Sequence, residues 1–297
     1  MAKFLKEIKT DDTITCLDYS PSGDYLAAGL LNEKTLIWGT NFTETDKPIY
    51  SLEGHTMGVV DVKFNPKGNR LAVSSLDSVI RVWNSEDGKM VSEIKCRPME
   101  NWKLAFDPKG RQILTAGELG GVVGFDIELG SREIELKTAE VFATTIAYSP
   151  NGKFIAVANN LGTIFLFDTE NENKRSKIDA HAKIVRGLVF SPDNLRLITI
   201  SDDFIINVID LVKLTIVSSL TGHQGNINCI DHHPTEKKLV TCSYDRTVKL
   251  WSLDERTCYQ TISYHPDNVW AAKFSKDGKY VASASDSGVL ALHQLSQ

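Results

Sequence analysis

Cysteine is scarce and scattered. Cys16, Cys96, Cys229, Cys242 and Cys258 are odd in number, and no two have the CxxC spacing of a zinc or redox motif. They read as free thiols of a reducing compartment, which excludes a disulfide-built secreted scaffold. Long apolar runs are also missing. The N-terminus, MAKFLKEIKT, has none of signal-peptide length, and nothing approaches the ~20 residues that span a bilayer. The expectation is a protein of the cytoplasm and nucleus with no membrane contact. No charge of one sign dominates either. Lys and Arg number 33 against 38 Asp and Glu, for a net charge of -5, and the cations are spread out. Without a basic stripe, no direct nucleic-acid partner is expected, although a local basic patch on one face stays open.

Proline is sparse, at nine residues, but it is placed with regularity. Pro66, Pro108, Pro150, Pro192 and Pro234 follow at a spacing of 42; Lys276 falls on the next step, and Pro21 lies 45 before Pro66. The flanking columns keep the same register. Two before the turn stand Tyr19, Phe64, Phe106, Tyr148, Phe190, His232 and Phe274; four before stand Leu17, Val62, Leu104, Ile146, Leu188, Ile230 and Ala272. This alternation is one face of a strand against a core. Five after the turn every copy is apolar, from Leu26 to Val281. Turns such as SPSGD, NPKGN and SPNGK punctuate the strands. Seven copies stay in register, and a period of 40–45 residues marks propeller blades.

Copies two and six are fullest. Gly54 to Trp83 and Gly222 to Trp251 each run from Gly-His to Trp. Each carries His (His55, His223), Asp (Asp77, Asp245) and Trp (Trp83, Trp251), with Ser74 or Ser75, and Ser243, in the strand between. These residues resemble the WD-repeat family, whose blades tie a loop His, a turn Asp, a strand Ser or Thr and a strand Trp by hydrogen bonds. The resemblance implies an all-β fold: a seven-bladed β-propeller of four-stranded antiparallel blades, a single domain over residues 1–297. It also implies closure by the N-terminal strand, because Phe4 to Ile8 alternates while the last copy ends near its third strand. Asn41 to Pro48 reads as a polar surface loop, and no attached catalytic domain is expected.

Several polar groups invite other readings. Ser75, His55 and Asp77, or Ser243, His223 and Asp245, could be written as nucleophilic triads. Their recurrence at blade spacing favours structural hydrogen bonding, since a catalytic triad occurs once and needs an oxyanion hole. His232 and His233 lack further metal ligands at suitable spacing, so no metal is expected and His232 reads as packed. The glycines of GELGGVVG, 117–124, precede no helix and read as a turn rather than a phosphate loop. No cofactor is expected, and the chain reads as a non-enzyme.

In this family two columns face one rim. The first reads Thr15, Val60, Trp102, Thr144, Arg186, Asn228 and Trp270, and the second Leu31, Leu76, Glu118, Asn160, Asp202, Tyr244 and Asp286. Trp, Tyr and Arg carry most of the energy at protein interfaces. Trp102, Trp270, Tyr244, Leu76, Val60, Arg186, Asp202 and Glu118 are therefore candidate partner-binding residues. Packing of Trp102 and Trp270 between blades stays open, as does a solvated role for Arg186 and Asp202.

Stretches such as SLEGHTMGVVDVKF (Ser51 to Phe64), ENWKLAFDPKG (Glu100 to Gly110) and DNVWAAKF (Asp267 to Phe274) resemble the WD-repeat subunits of superkiller (Ski) complexes, which in animals also join the Paf transcription-elongation complex. That resemblance implies a monomeric, non-catalytic adaptor. Its partners would be a helical-repeat scaffold subunit and a helicase, in an assembly that feeds RNA to the cytoplasmic exosome. It further implies a rim that takes Gln-Arg segments followed by a bulky apolar residue. Apolar rim residues would hold that side chain, and Glu118, Asp202 or Asp286 would pair with the Arg. The alternatives are a chromatin-associated peptide reader, a ubiquitin-ligase receptor, whose Trp-Asp-x-Arg signature is here WNSE and WSLD, and a propeller enzyme.

Overall fold

The computed structural model describes residues 2–40, 46–118, 120–139, 141–171 and 174–295. Within them, strands form seven four-stranded antiparallel sheets, each made of consecutive strands except the last. The first strands of the blades are Ile14–Tyr19, Val59–Phe64, Lys103–Phe106, Ala143–Tyr148, Val185–Phe190, Ile227–His232 and Val269–Phe274. Each touches the next, and the last touches the first, so they line the axis of a closed seven-bladed propeller. The apolar columns lie between blades. Ala27, Ile37 and Leu52 of blade 1, for example, pack on Val59, Val62, Phe64 and Trp83 of blade 2. A fully buried Leu or Val is worth about 2 kcal/mol, and no blade could bury these faces alone.

The evenly spaced prolines have a specific task. Gly110 and Gly152, in successive first turns, have φ of +68° and +75°. A Cβ on either would stand 3.1 Å from Pro66 or Pro108 of the preceding blade. Each turn thus rests on the proline before it, and only glycine suits both the angle and the approach. The residue before the proline caps its own turn. Asn65, Ser149 and Ser191, and Ser275 before Lys276, accept a backbone N–H five residues on, whereas His233 Nδ1 accepts those of Thr235 and Glu236, two and three residues on. His232 is half-buried, and its Nδ1 donates to the His233 carbonyl at 2.7 Å.

Ala2–Lys9 completes blade 7. It pairs antiparallel with Val289–Leu295, from Ala2 opposite Leu295 to Lys9 opposite Val289, with a bulge between Phe4 and Lys6. Phe4 stacks on Tyr264 at 4.6 Å, Ile8 is buried, and the Tyr264 hydroxyl donates to Glu7. Of the expected 41–48 loop, residues 41–45 lie outside the described residues; Asp46, Lys47 and Pro48 are exposed.

Side chains on the first strands bind blade to blade along the axis. Asp18, Asp61 and Asp231 accept the amides of Phe64, Leu104 and Phe274 in the following blades at 2.8, 3.0 and 3.0 Å. Lys103 and Lys273 pair with Asp61 and Asp231 at 3.4 and 2.9 Å.

Candidate partner-binding mouth

The buried polar ties are complete in one blade. In blade 6, Trp251 Nε1 donates to Thr241 Oγ1 at 2.8 Å, the Thr241 hydroxyl meets His223 Nε2 at 2.7 Å, and His223 Nδ1 meets Asp245 at 2.7 Å. The hydroxyl is therefore Thr241, not Ser243. Ser243 stands at the strand end, where its Oγ accepts the Asp245 amide at 3.0 Å. Burial holds the His223 pKa down, so the ring is neutral and donates to Asp245. Burial would raise Asp245, but His223, Thr247 and the Gln224 amide outweigh it and hold the carboxyl well below its usual range.

Blade 2 keeps His55–Asp77 at 2.9 Å, but Val73 stands where blade 6 has Thr241. His55 Nε2 and Trp83 Nε1 are consequently buried without a hydrogen-bond partner among the described residues. Ser75 donates to the Met57 carbonyl at 2.6 Å and accepts the Asp77 amide. Neither Ser75 nor Ser243 reaches the imidazole, so neither triad is assembled. Blade 5 has His181 between Asp203 and Thr199, both at 2.9 Å, with Ile209 in place of Trp. In blades 3 and 4, Arg97, Ala139 and Leu161 occupy the tie columns; Leu119 lies outside the described residues.

The rim columns converge on a cleft of about 540 Å³ at one mouth of the axis. Val60, Leu76, Trp102, Arg186 and Trp270 line it, all partly exposed. Tyr244 and Glu118 are not in its lining. Tyr244 stands behind Trp270, edge to face at 5.3 Å, and Glu118 is exposed, with no hydrogen bond to its carboxylate among the described residues. Leu31, half-exposed, and Phe142 and Ile184 complete the apolar wall. Phe142 packs edge to face on Trp102 at 5.6 Å. The signal for the last two was available: eight before the turn the chain reads Thr13, Gly58, Glu100, Phe142, Ile184, Asn226 and Asn268, apolar at only those two. That column borders the mouth because its carbonyls accept amides of the second rim column, as Phe142 does from Asn160 and Ile184 from Asp202.

The charged rim residues hold one another. Arg186 donates to both oxygens of Asp202, at 2.6 and 2.9 Å, and Asp202 is buried. The Arg186 guanidinium lies over the Tyr244 ring at 5.9 Å. Trp270 Nε1 donates to Asp286, whose other oxygen takes Asn268 Nδ2 at 2.9 Å. A ladder runs from Asp202 through Arg186, Tyr244 and Trp270 to Asp286 across blades 5, 6 and 7. It fixes the indole before anything binds. It also corrects the assignment of Asp202 and Asp286 as free partners for an incoming Arg, since both carboxylates are already engaged. Burial works against the Arg186 cation, but Asp202 outweighs it and raises its pKa.

The small rim residues are clamps instead. Thr15 donates to the Val59 carbonyl at 2.7 Å, Thr144 to that of Val185, and Asn228 to that of Val269 at 2.9 Å. Each binds the blade that follows, which presents Val60, Arg186 or Trp270. The site is a preset, largely apolar cleft, with no hydrogen-bonded nucleophile–base pair among the described residues that line it.

The profile of the IFT122 first β-propeller matches residues 41–294, and that of the WD domain, G-beta repeat, matches residues 2–38. WD repeat-containing protein SL1-17 of Schistosoma mansoni is 33% identical over 81 residues, 27% of each chain. COMPASS component SWD1 of Saccharomyces cerevisiae is 34% identical over 82 residues, 27% of this chain and 19% of that one. Protein HIRA of Zea mays is 31% identical over 90 residues, 26% and 9% of the two chains. The matched stretches thus span only about a quarter, or less, of these relatives. WD-repeat propellers generally act as scaffolds for protein interaction. The chain belongs to the WD-repeat β-propeller family, and over residues 41–294 to the type represented by the first propeller of IFT122.

Proposed function

We propose that the protein is a non-catalytic adaptor whose mouth grips an extended segment of a partner, as a subunit of a Ski-type complex in exosome-mediated cytoplasmic mRNA decay. A Paf-type elongation complex is the second, nuclear setting. The observation that carries the adaptor reading is the open cleft walled by Trp102, Phe142 and Trp270, whose indole is already held by Asp286. A preset aromatic wall spares the ordering cost of binding. The Ski-type assignment is supported by the stretches around Trp102 and Trp270. Its partners are a helical-repeat scaffold and a helicase. With Asp202 and Asp286 engaged, Glu118 is the rim carboxylate left for a partner's guanidinium.

A second reading is another WD-repeat peptide reader, a chromatin-associated subunit that grips its partner's segment in the same cleft. Affinity purification from the source cells separates the two. A co-purifying helicase and helical-repeat scaffold support the first, and chromatin subunits without them support the second.

A further inference from the structure

The outer strands of the blades guard their free edges unequally. Met90–Lys95, Arg132–Leu136, Lys174–Asp179 and Ala2–Lys9 carry charged side chains, and Tyr50–Leu52 is three residues long. Thr257–Ile262 is uncharged, but Gln260 is tied to Ala2 and Lys238 covers Tyr259. Thr215–Thr221 of blade 5, TIVSSLT, has no charge, and no ring contact or ion pair among the described residues covers it. Ile216 and Val217 are 40% and 38% exposed, and Val212, in the turn leading in, is 83% exposed. Natural sheets blunt a free edge by charge, shortness or cover. The one guard here is a bulge at Val217, which leaves Ser218–Thr221 in regular pairing. Lys213, in the same turn, is exposed and forms no ion pair among the described residues.

We infer that this edge accepts an extended segment of a partner protein as a fifth strand of blade 5, uncharged and β-branched, with an acidic residue at the end beside Lys213. The free backbone groups of an edge are complementary to another strand and to little else. A second copy of the chain fits less well. The strand lies on the convex circumference, so two rigid rings would meet along it alone. Such a contact falls short of the ~1,000 Å² expected of a stable interface. A flexible segment follows the edge and lays alternate side chains over Ile216 and Val212. The surface is separate from the mouth and does not depend on its proposed role.

The test uses a fluorescein-labelled peptide, one glutamate followed by alternating valine and threonine, titrated with the full chain by anisotropy. Saturable binding is expected, with slowed amide exchange within Ser218–Thr221. Ile216→Lys with Val217→Lys, both at exposed positions, should weaken it at least tenfold at an unchanged melting temperature. Lys213→Glu should weaken it about threefold, with recovery on a lysine-ended peptide. The Trp102→Ala, Trp270→Ala variant should bind as the wild type does. Absence of saturable binding, indifference to the lysine pair, or loss on changing the two tryptophans overturns the inference. A dimer in sedimentation velocity that the lysine pair dissolves also overturns it, in favour of a second copy.

Discussion

Replacing Val73 with threonine should stabilise the protein. Val73 is fully buried at the position that Thr241 occupies in blade 6. There the hydroxyl serves two partners, Trp251 Nε1 at 2.8 Å and His223 Nε2 at 2.7 Å. In blade 2 the equivalent atoms, Trp83 Nε1 and His55 Nε2, have none. The Val73 carbonyl approaches His55 outside hydrogen-bond geometry. A hydroxyl both donates and accepts, so it serves either tautomer of His55. Two new hydrogen bonds are worth about 1 kcal/mol each, and exchanging a buried methyl for a hydroxyl costs about 1 kcal/mol. The net expectation is about 1 kcal/mol of added stability. Thr241→Val reverses the exchange and strands two buried groups, at about 2–3 kcal/mol. Urea unfolding of wild type and both variants reads the two effects as opposite shifts of midpoint at constant slope. A destabilised Val73→Thr together with a neutral Thr241→Val would refute the reasoning.

Three further outcomes follow from the same geometry. Removing residues 1–9 strips the closing strand, exposing the site of Ile8 and losing the Phe4–Tyr264 stack; at about 3 kcal/mol or more, melting should fall by roughly 6 °C or more. Burial, and then the neighbouring His293, lower the His265 pKa to about 4 from 6.5, so the unfolded chain binds the proton first. That contribution is complete above pH 6.5 and lost as pH falls towards 4, about 3 kcal/mol in all, and stability measured against pH should lose this limb in His265→Gln. Asp202→Asn leaves the Arg186 cation half-buried without its carboxylate and should cost about 1–3 kcal/mol in urea unfolding, with a more mobile Trp270 by fluorescence anisotropy.

The ring was legible in the sequence because its signal repeats: the proline column, the apolar columns and the missing fourth strand at Val289–Leu295 all point to one closed architecture. The ties were harder to read. Thr241 and Ser243 are two apart on one strand, hence on one face, and only the reach of His223 and Trp251 decides between them. The pairing of Arg186 with Asp202 spans two columns 16 residues apart, which meet through the Asp202 amide and the Ile184 carbonyl. Types and columns indicated charge at the rim but not that it was already spent. Phe142 and Ile184 lay in a loop column outside the strands that the repeat made visible.

The adaptor account rests on the two indoles at the mouth, and partner capture by Trp102→Ala with Trp270→Ala, beside wild type, tests it most directly. The double variant should unfold as cooperatively as the wild type yet recover no helical-repeat scaffold from the source cells. Equal recovery by a folded double variant would contradict the account.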